Sequence, residues 1–158
     1  MKVAKFGGSS VAGAEQFKKV RQIVEADPAR RIVVVSAPGK RDKGDTKVTD
    51  LLIALAKAAL AGENVDRQLG AVVERYALIA DELKLGEDII SDITRDLRSR
   101  VAQVKDLRPE EFLDLVKAAG EDNNAKLVAV AFAARGRKAR YASPKDTGMV
   151  LKGEFGDA

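Results

Sequence analysis

The first 35 residues of the chain contain two short apolar runs with an amphipathic stretch between them. Residues 2–6 (KVAKF) predict a strand that ends at a glycine pair, Gly7 and Gly8. Residues 14–25 predict a helix, because their apolar positions recur at helical spacing. Ile32 to Val35 form a β-branched run typical of a strand that helices cover on both faces. The pattern therefore predicts a βαβ unit with a right-handed crossover.

A charged segment, KRDKGDTK at residues 40–47, follows the second predicted strand and its short SAPG sequence. It contains no apolar residue that could hold it against a core, so we predict a mobile loop. Thr49 is then predicted to be the N-cap or a first-turn residue of a helix. The apolar face of that helix contains Leu51, Leu52, Leu55 and Leu60.

From residue 63 to residue 105 the apolar residues keep helical spacing, with one interruption at Gly86. Two helices without a strand between them predict a helical insertion. Pro109 suits the first turn of a further helix that ends near Gly120, and residues 121–136 predict another apolar helix that Gly136 ends. We predict a last strand at residues 138–142. The tail LKGEFGDA shows no pattern of a closing element.

Composition narrows the class of protein. The 158 residues, 46% of them hydrophobic, suffice for one core of ordinary size. Basic and acidic residues, 28 and 24 in number, are mixed along the chain and aromatic residues are few, so a nucleic-acid surface is not expected. No apolar run approaches the length of a membrane span, and Met1 leads into a strand pattern instead of a signal peptide. These features predict one domain, or part of one, in the cytoplasm.

The chain contains neither cysteine nor histidine. This excludes disulfides, zinc sites of the usual kinds, and any catalytic Ser-His or Cys-His pair. We predict no metal site in the chain, and catalysis would depend on lysine, carboxylates and backbone amides.

The sequence KFGGSS, residues 5–10, allows two interpretations. An ordinary tight turn between a strand and a helix would need only the glycines. A phosphate-binding turn would also explain Lys5, because a lysine buried in a strand is costly unless an anion meets its ammonium group. The backbone amides of Gly8 to Ser10 would complete such a site. The segment matches neither a Walker A loop nor a GxGxxG motif, so both interpretations stay open.

Ser36 and Glu121 are further candidate site residues. Ser36 follows the second predicted strand, at the end where open α/β sheets bind ligands, and it either donates to a carboxylate or caps the strand end. Glu121 follows Gly120 at a predicted helix start, where the helix dipole favours an acidic side chain without any ligand. Taken by itself, Glu121 is better explained by the dipole.

Three segments occur in the order and at the spacings of motifs in a known family: KFGGSSVA, then VVVSAPGK with TKVTDLLIALA, then AAGEDNNAKLVA. Together they resemble the N-terminal part of the aspartokinases, within the amino acid kinase family. The resemblance extends over essentially the whole chain and looks closest to the Bacillus-type, lysine-sensitive members. It implies transfer of the ATP γ-phosphate to the β-carboxylate of L-aspartate, the first step of lysine, threonine and methionine biosynthesis. Such chemistry needs positioning and charge neutralisation, but no histidine or cysteine.

The resemblance implies a role for each candidate residue. Lys5 would be the catalytic residue that neutralises the transferring phosphoryl group. The ATP phosphates would be bound by the turn residues Lys5, Phe6, Gly7, Gly8 and Ser9. The aspartate site would be lined by Ser36, Ala37, Thr49 and Glu121. Glu121 would bind the ammonium group of the substrate.

The resemblance also implies a fold of the α/β class: a helix-rich, partial three-layer αβα sandwich with an incomplete, mostly parallel sheet of about three strands. Residues 1–158 would form the N-terminal part of a catalytic domain, with a helical insertion at about residues 50–119. The family's glycine-rich R-[GS]-G-S-D stretch, its TDVD stretch and its C-terminal ACT domains have no counterpart in the sequence. We therefore expect a fragment without the nucleotide-binding half, inactive by itself. The full-length enzyme would use ATP with Mg²⁺ and form a homodimer.

Two alternatives to this function stay open. Another amino acid kinase, acting on glutamate, acetylglutamate or uridylate, would share the lysine and glycine start, although the SAPGK to TDLL segment and the long helical insertion argue against it. The chain could also be a non-catalytic folding or assembly module whose incomplete sheet pairs with a second copy.

Overall fold

The computed structural model describes residues 1–150 and residue 153. This part of the chain contains two strands, β1 (Lys2–Phe6) and β2 (Arg30–Val35), that pair in parallel. Its longer helices are α1 (Ala14–Glu25), α2 (Val48–Leu60), α3 (Asp66–Leu83), α4 (Asp88–Val101) and α5 (Pro109–Ala133). Short 3₁₀ helices occupy Gly8–Val11 and Ala102–Lys105. The predicted helix-rich α/β class, the opening βαβ unit and the parallel pairing are confirmed.

Only one face of the two-stranded sheet is covered in the described part of the chain. Phe6 and Val35, which are partners across the strands, are buried at 9% and 7% exposure. Val3 and its partner Ile32 lie on the opposite face with 63% and 42% exposure. The prediction that helices cover β2 on both faces is therefore wrong for these residues. A β-branched run predicts a strand, but it does not show how much of its surface the rest of the chain can reach.

The core lies mainly among the helices, and α5 is at its centre. Helix α5 contacts α2, α3, α4 and β2. The largest side chains that are fully buried come from all of α2 to α5, and include Leu52, Leu55, Tyr76, Ile93, Leu97, Phe112 and Leu127. The helices that support the turns after β1 and β2 are therefore closely packed against one another.

Helix α5 is continuous from Pro109 to Ala133, so the predicted helix end near Gly120 and helix start at residue 121 are wrong. Glycine commonly follows a helix end, and inside a helix it costs roughly 1 kcal/mol relative to alanine, so both preferences favour a helix end at Gly120. The structure gives a different reason for this glycine. A Cβ atom at residue 120 would lie 2.8 Å from the Cβ of Ala37 and 3.1 Å from Cδ1 of Leu52. Gly120 is a contact point between α5 and the connection that follows β2.

The remaining predictions have mixed outcomes. Residues 138–142 form no strand, so the described part of the chain has two strands instead of about three. Thr49 is a first-turn residue of α2, as predicted, and Lys47 is the N-cap. The tail LKGEFGDA lies outside the described residues except for Gly153. Among the helices of residues 1–150, none has the length and apolar character needed to cross a membrane.

Candidate functional site

The turns that follow the two strands are in direct contact. The Gly39 amide donates a hydrogen bond to the Gly8 carbonyl oxygen at 2.9 Å, and the Ser36 amide donates to the Phe6 carbonyl oxygen at 3.0 Å. A Cβ atom at residue 39 would lie 2.7 Å from the carbonyl carbon of Gly8 and 2.9 Å from the amide nitrogen of Ser9. The backbones can approach this closely because both residues are glycine. The two predicted binding turns therefore form one continuous surface.

The first turn exposes backbone donors. Gly8 and Ser9 are the first residues of the 3₁₀ helix Gly8–Val11, so their amides have no acceptor inside that helix. Gly7 precedes it in an extended conformation, with no atom within 4 Å of a Cβ placed there. The Phe6 side chain is buried in the core, which leaves only its backbone available at the turn. This arrangement can accommodate an anion beside the Gly7, Gly8 and Ser9 backbone.

Lys5 lies on the uncovered face of the sheet, next to its strand partner Val34, and is exposed. Within residues 1–150, its ammonium group forms no hydrogen bond or ion pair with another side chain. The prediction that burial requires an anion at Lys5 is therefore wrong, because the side chain reaches solvent. An exposed lysine beside free backbone donors can still supply a positive charge to a ligand at the turn.

The second turn is held by one turn of α5. The Ala37 amide donates to Oε1 of Glu121 at 3.2 Å. The Asn124 side-chain amide donates to the Ser36 carbonyl oxygen at 2.6 Å, and Asn124 is completely buried. The hydroxyl of Tyr76, on α3, donates to the Gly120 carbonyl oxygen at 2.8 Å. Helix α5 thus fixes the orientation of both Ser36 and Ala37.

Glu121 cannot owe its position to a helix N-terminus, because it lies well inside α5. The dipole effect acts only within the first turn of a helix, so the dipole explanation of Glu121 is wrong. The residue is exposed, and among the described residues its Oε2 atom makes no hydrogen bond. Glu121 therefore combines a structural contact, to Ala37, with a carboxylate oxygen that remains open to a cation.

The fold brings together three of the four residues predicted to bind aspartate: Ser36, Ala37 and Glu121. The fourth, Thr49, is linked to them through the backbone. The Val48 amide, at the start of α2, donates to the Pro38 carbonyl oxygen at 3.0 Å. Thr49 is the next residue and is partly exposed. Among the described residues, Lys5 forms no hydrogen bond or ion pair with Glu121.

Three residues that support the second turn were not predicted from the sequence: Asn124, Tyr76 and Arg75. Arg75 occupies an apolar helix face, between Val72 and Ile79, and is only 5% exposed. A charged residue at a core position of a helical pattern is a signal that it has a buried partner. That partner is Asp45, in the segment predicted to be a mobile loop. The segment has no apolar residue that could hold it against the core, but the ion pair between Asp45 and Arg75 anchors it.

A charge-balanced cluster joins α4 to α5 beside this site. Arg100 and Lys126 pair with both Asp96 and Asp122, at distances of 2.8 to 3.3 Å. Burial acts to raise the pKa of Asp96, but the hydrogen bond from Arg100 and the nearby positive charges hold that pKa below its usual value. The Tyr141 hydroxyl donates to Asp122 and so ties the segment after α5 to the same cluster. The cluster fixes the helix that carries Glu121. Within residues 1–150, no set of three or more acidic side chains is arranged to hold a metal ion.

Comparisons with known proteins identify relatives of the chain. The model of the amino acid kinase family matches residues 1–156. Aspartokinase 3 of Bacillus subtilis is 56% identical over 158 residues, which are 100% of this chain and 35% of the relative. The crystal structure of Clostridium acetobutylicum aspartate kinase superposes with a TM-score of 0.72 at 31% identity, covering 83% of this chain and 29% of that one.

A second solved structure, E. coli aspartokinase III in complex with aspartate and ADP, superposes with a TM-score of 0.66 at 26% identity. It covers 85% of this chain and 29% of the aspartokinase III chain. The chain thus spans about a third of the length of each of these three relatives.

Proposed function

The chain belongs to the amino acid kinase family, and from this premise we propose that it forms the aspartate- and phosphate-binding part of an aspartate kinase. The complete enzyme would transfer the γ-phosphate of ATP to the β-carboxylate of L-aspartate. The whole reaction is a proposal, because the chain corresponds to only 35% of its Bacillus subtilis relative.

Each part of the proposed reaction has a group in the chain that suits it. The amides of Gly8 and Ser9 would hold phosphate oxygens, while the Lys5 ammonium group would neutralise charge that develops on the transferring phosphoryl group. Ser36 and Thr49 would offer hydroxyl groups to the carboxylates of the substrate. Because the turns after β1 and β2 touch through Gly8 and Gly39, the phosphate donor and the carboxylate acceptor would be held side by side.

The observation that carries the proposal is the position of Glu121. Its Oε1 atom is occupied by the Ala37 amide, whereas Oε2 is open next to the Ser36 turn. A carboxylate in this place can pair with the ammonium group of an amino acid whose carboxylates lie on the adjacent turns. This arrangement favours a substrate that carries both kinds of charge, as L-aspartate does.

Mg²⁺, a homodimer and a cytoplasmic location also belong to the proposal, and they rest on the family resemblance alone. Mg²⁺ would travel with the ATP phosphates, since no acidic cluster in the described residues suits a metal. Light scattering of the protein over a range of concentrations tests the homodimer.

A test of the proposal separates the two contacts of Glu121. In a chimera, residues 1–158 replace the matching part of Bacillus subtilis Aspartokinase 3, and the Michaelis constants for L-aspartate and ATP are measured with the melting temperature. Glu121→Gln keeps an acceptor for the Ala37 amide but removes the charge. We expect the aspartate constant to rise about tenfold to a hundredfold, equivalent to about 1.5–3 kcal/mol, with the ATP constant changed less than about twofold.

Two further variants complete the test. Glu121→Ala should weaken aspartate binding to a similar extent and also lower the melting temperature, because the Ala37 amide loses its acceptor. Glu110→Gln, an exposed residue in the first turn of the same helix, should change neither constant. An unchanged aspartate constant in Glu121→Gln would remove Glu121 from the substrate site and leave it a structural role only.

The uncovered face of the sheet favours the alternative of a non-catalytic assembly module. Val3, Ile32 and Val34 are exposed there, which is unusual for β-branched residues of a parallel sheet. A pure assembly module would show no aspartate-dependent turnover in the chimera, so the same kinetic measurement distinguishes the two functions.

A further inference from the structure

Arg75 is a charged residue placed in the helical core. It lies on α3 beside Tyr76 and is 5% exposed. Burial lowers the pKa of its guanidinium group, with the positive charge of Arg41 acting in the same direction. An arginine is expensive to bury unless its charge and its donors are used. The contacts of Arg75 must therefore explain why a charged residue is buried here.

The contacts of Arg75 join the two ends of one segment. Its Nη2 atom donates to the Gly39 carbonyl oxygen at 2.8 Å. Its Nη1 atom lies 3.3 Å from Oδ2 of Asp45, whose side chain is 8% exposed. Gly39 is the residue whose backbone packs against Gly8, and Asp45 lies just before α2. One guanidinium group thus connects the candidate site to the end of the charged segment.

The carboxylate of Asp45 organises the rest of that segment. It accepts hydrogen bonds from Nε and Nη2 of Arg41 at 2.8 and 3.0 Å, and from the Arg41 and Thr46 amides at 2.9 Å each. Segment 39–46 is therefore a closed loop around one carboxylate, and Arg75 is the link between that carboxylate and the helical core.

The geometry of Arg75 is poor for stability alone. Its Nε and Nη1 atoms are buried without a well-formed hydrogen bond to any described residue. Buried donors without acceptors are destabilising, so these two atoms offset part of what the ion pair and the Gly39 hydrogen bond contribute to stability. The arginine contributes by holding the Gly39 carbonyl and the Asp45 carboxylate in fixed positions.

We propose that Arg75 is a positioning residue for the aspartate site: it fixes segment 39–46, and through that segment it sets the spacing between the Ser36 turn and Thr49. The inference rests on the proposed function for its kinetic consequence. Its structural consequence, that Arg75 holds the segment in place, does not need a substrate.

The experiment has one measurement for each consequence. Amide hydrogen exchange is measured on residues 1–158 without ligand, and the Michaelis constants are measured in the chimera described above. In Arg75→Met, we expect exchange in residues 40–47 to rise about tenfold or more while exchange in α4 stays unchanged. We expect the aspartate constant to rise about tenfold to a hundredfold, with the ATP constant within about twofold, because misplacing a binding loop affects the ligand it positions.

Two variants serve as controls. Arg75→Lys keeps a charge for Asp45 but cannot bind Gly39 and Asp45 with one planar group, so it should restore part of the aspartate affinity. Arg95→Met removes an exposed arginine of α4 that pairs with Asp92, and it should change neither measurement.

The outcomes separate this inference from the proposed function. Unchanged exchange in residues 40–47 of Arg75→Met would overturn the positioning role, whatever the kinetics show. Increased exchange with an unchanged aspartate constant would also overturn it, because the segment would then have no influence on the substrate. A chimera that is inactive with the wild-type sequence would contradict the proposed function itself.

Discussion

Two adjacent parts of the connection between β2 and α2 are fixed in different ways. Residues 36–39 are packed tightly: Ala37 and Pro38 are buried, Gly39 touches Gly8, and Gly120 touches Ala37. Residues 40–47 contain no apolar side chain and are held by the charges of Asp45, Arg41 and Arg75. A tightly packed backbone should tolerate changes of pH but no added methyl group. A charged anchor should tolerate changes of volume but not the loss of its charge.

The largest effect is expected at the closest backbone contact. Gly39→Ala would place a Cβ atom 2.7 Å from the carbonyl carbon and 2.8 Å from the carbonyl oxygen of Gly8. Backbone atoms cannot move aside as a side chain can, so we expect a loss of about 2–3 kcal/mol in the free energy of unfolding. Urea unfolding followed by circular dichroism measures it.

Gly7→Ala is the matched control for that change. No atom lies within 4 Å of a Cβ placed at Gly7, and its φ of −74° suits any residue. We expect a change within about 0.5 kcal/mol. A similar loss of unfolding free energy in Gly7→Ala and Gly39→Ala would show that the contact between the turns is not the reason why residue 39 must be glycine.

A smaller, pH-dependent effect is expected for the charged anchor. The hydrogen bonds from Arg41 hold the pKa of Asp45 well below its usual value. Asp45→Asn should therefore lower the free energy of unfolding by about 1–2 kcal/mol at neutral pH, a range that allows for the partial exposure of Arg41. Since the folded-state pKa is depressed, this contribution is fully present above the unfolded value of about 4 and is lost as the pH falls through the folded value.

Comparing variants across pH sharpens the contrast between the two parts of the connection. The difference between the wild-type protein and Asp45→Asn should be constant from about pH 6 to 8 and should shrink below about pH 4. The loss caused by Gly39→Ala should not depend on pH over that range. Asp42→Asn, in the same segment, keeps an acceptor for the Gly44 amide and should have little effect at neutral pH. A pH-independent Asp45→Asn difference would contradict the charged anchor.

The smallest effect is expected where two contributions oppose each other. Gly120→Ala gains about 1 kcal/mol of helix propensity but must push its Cβ into Ala37 and Leu52, at a cost of about 1–3 kcal/mol. We expect a net loss of about 1 kcal/mol in urea unfolding. Gly70→Ala is the control, because Gly70 also lies inside a helix, α3, but has open space around it. Gly70→Ala should be more stable than the wild type. If Gly120→Ala were also more stable, α5 could move away from the turn.

Much of the fold could be predicted from local pattern. The spacing of apolar residues located α1 to α4 and the β-branched run located β2, because amphipathic periodicity reflects which face is buried. The errors occurred where a tertiary contact replaced a local preference. Gly120 is tolerated inside α5 because it fits against Ala37, and local propensity alone suggested a helix end.

For the candidate site, the sequence pointed to Ser36 and Glu121, but the dipole explanation that it favours for Glu121 is wrong. The dipole explanation assumed a helix start that does not exist. Asn124 and Arg75 were missed because their importance comes from partners far away in the chain, Ser36 and Asp45. A single sequence shows residue types and spacings, whereas such pairs exist only after the helices have packed.

By itself, the sequence determined the order of the elements from β1 to α4, the family motifs and the chemical groups at the two turns, because these depend on neighbouring residues. Tertiary structure alone decided that Gly8 and Gly39 touch, that one turn of α5 holds Ser36 and Ala37, and that Arg75 anchors Asp45. It also decided that one face of the sheet is covered and the other is exposed. The physical reason is that close packing and the burial of charge depend on which distant segments meet, and local propensity carries no information about that.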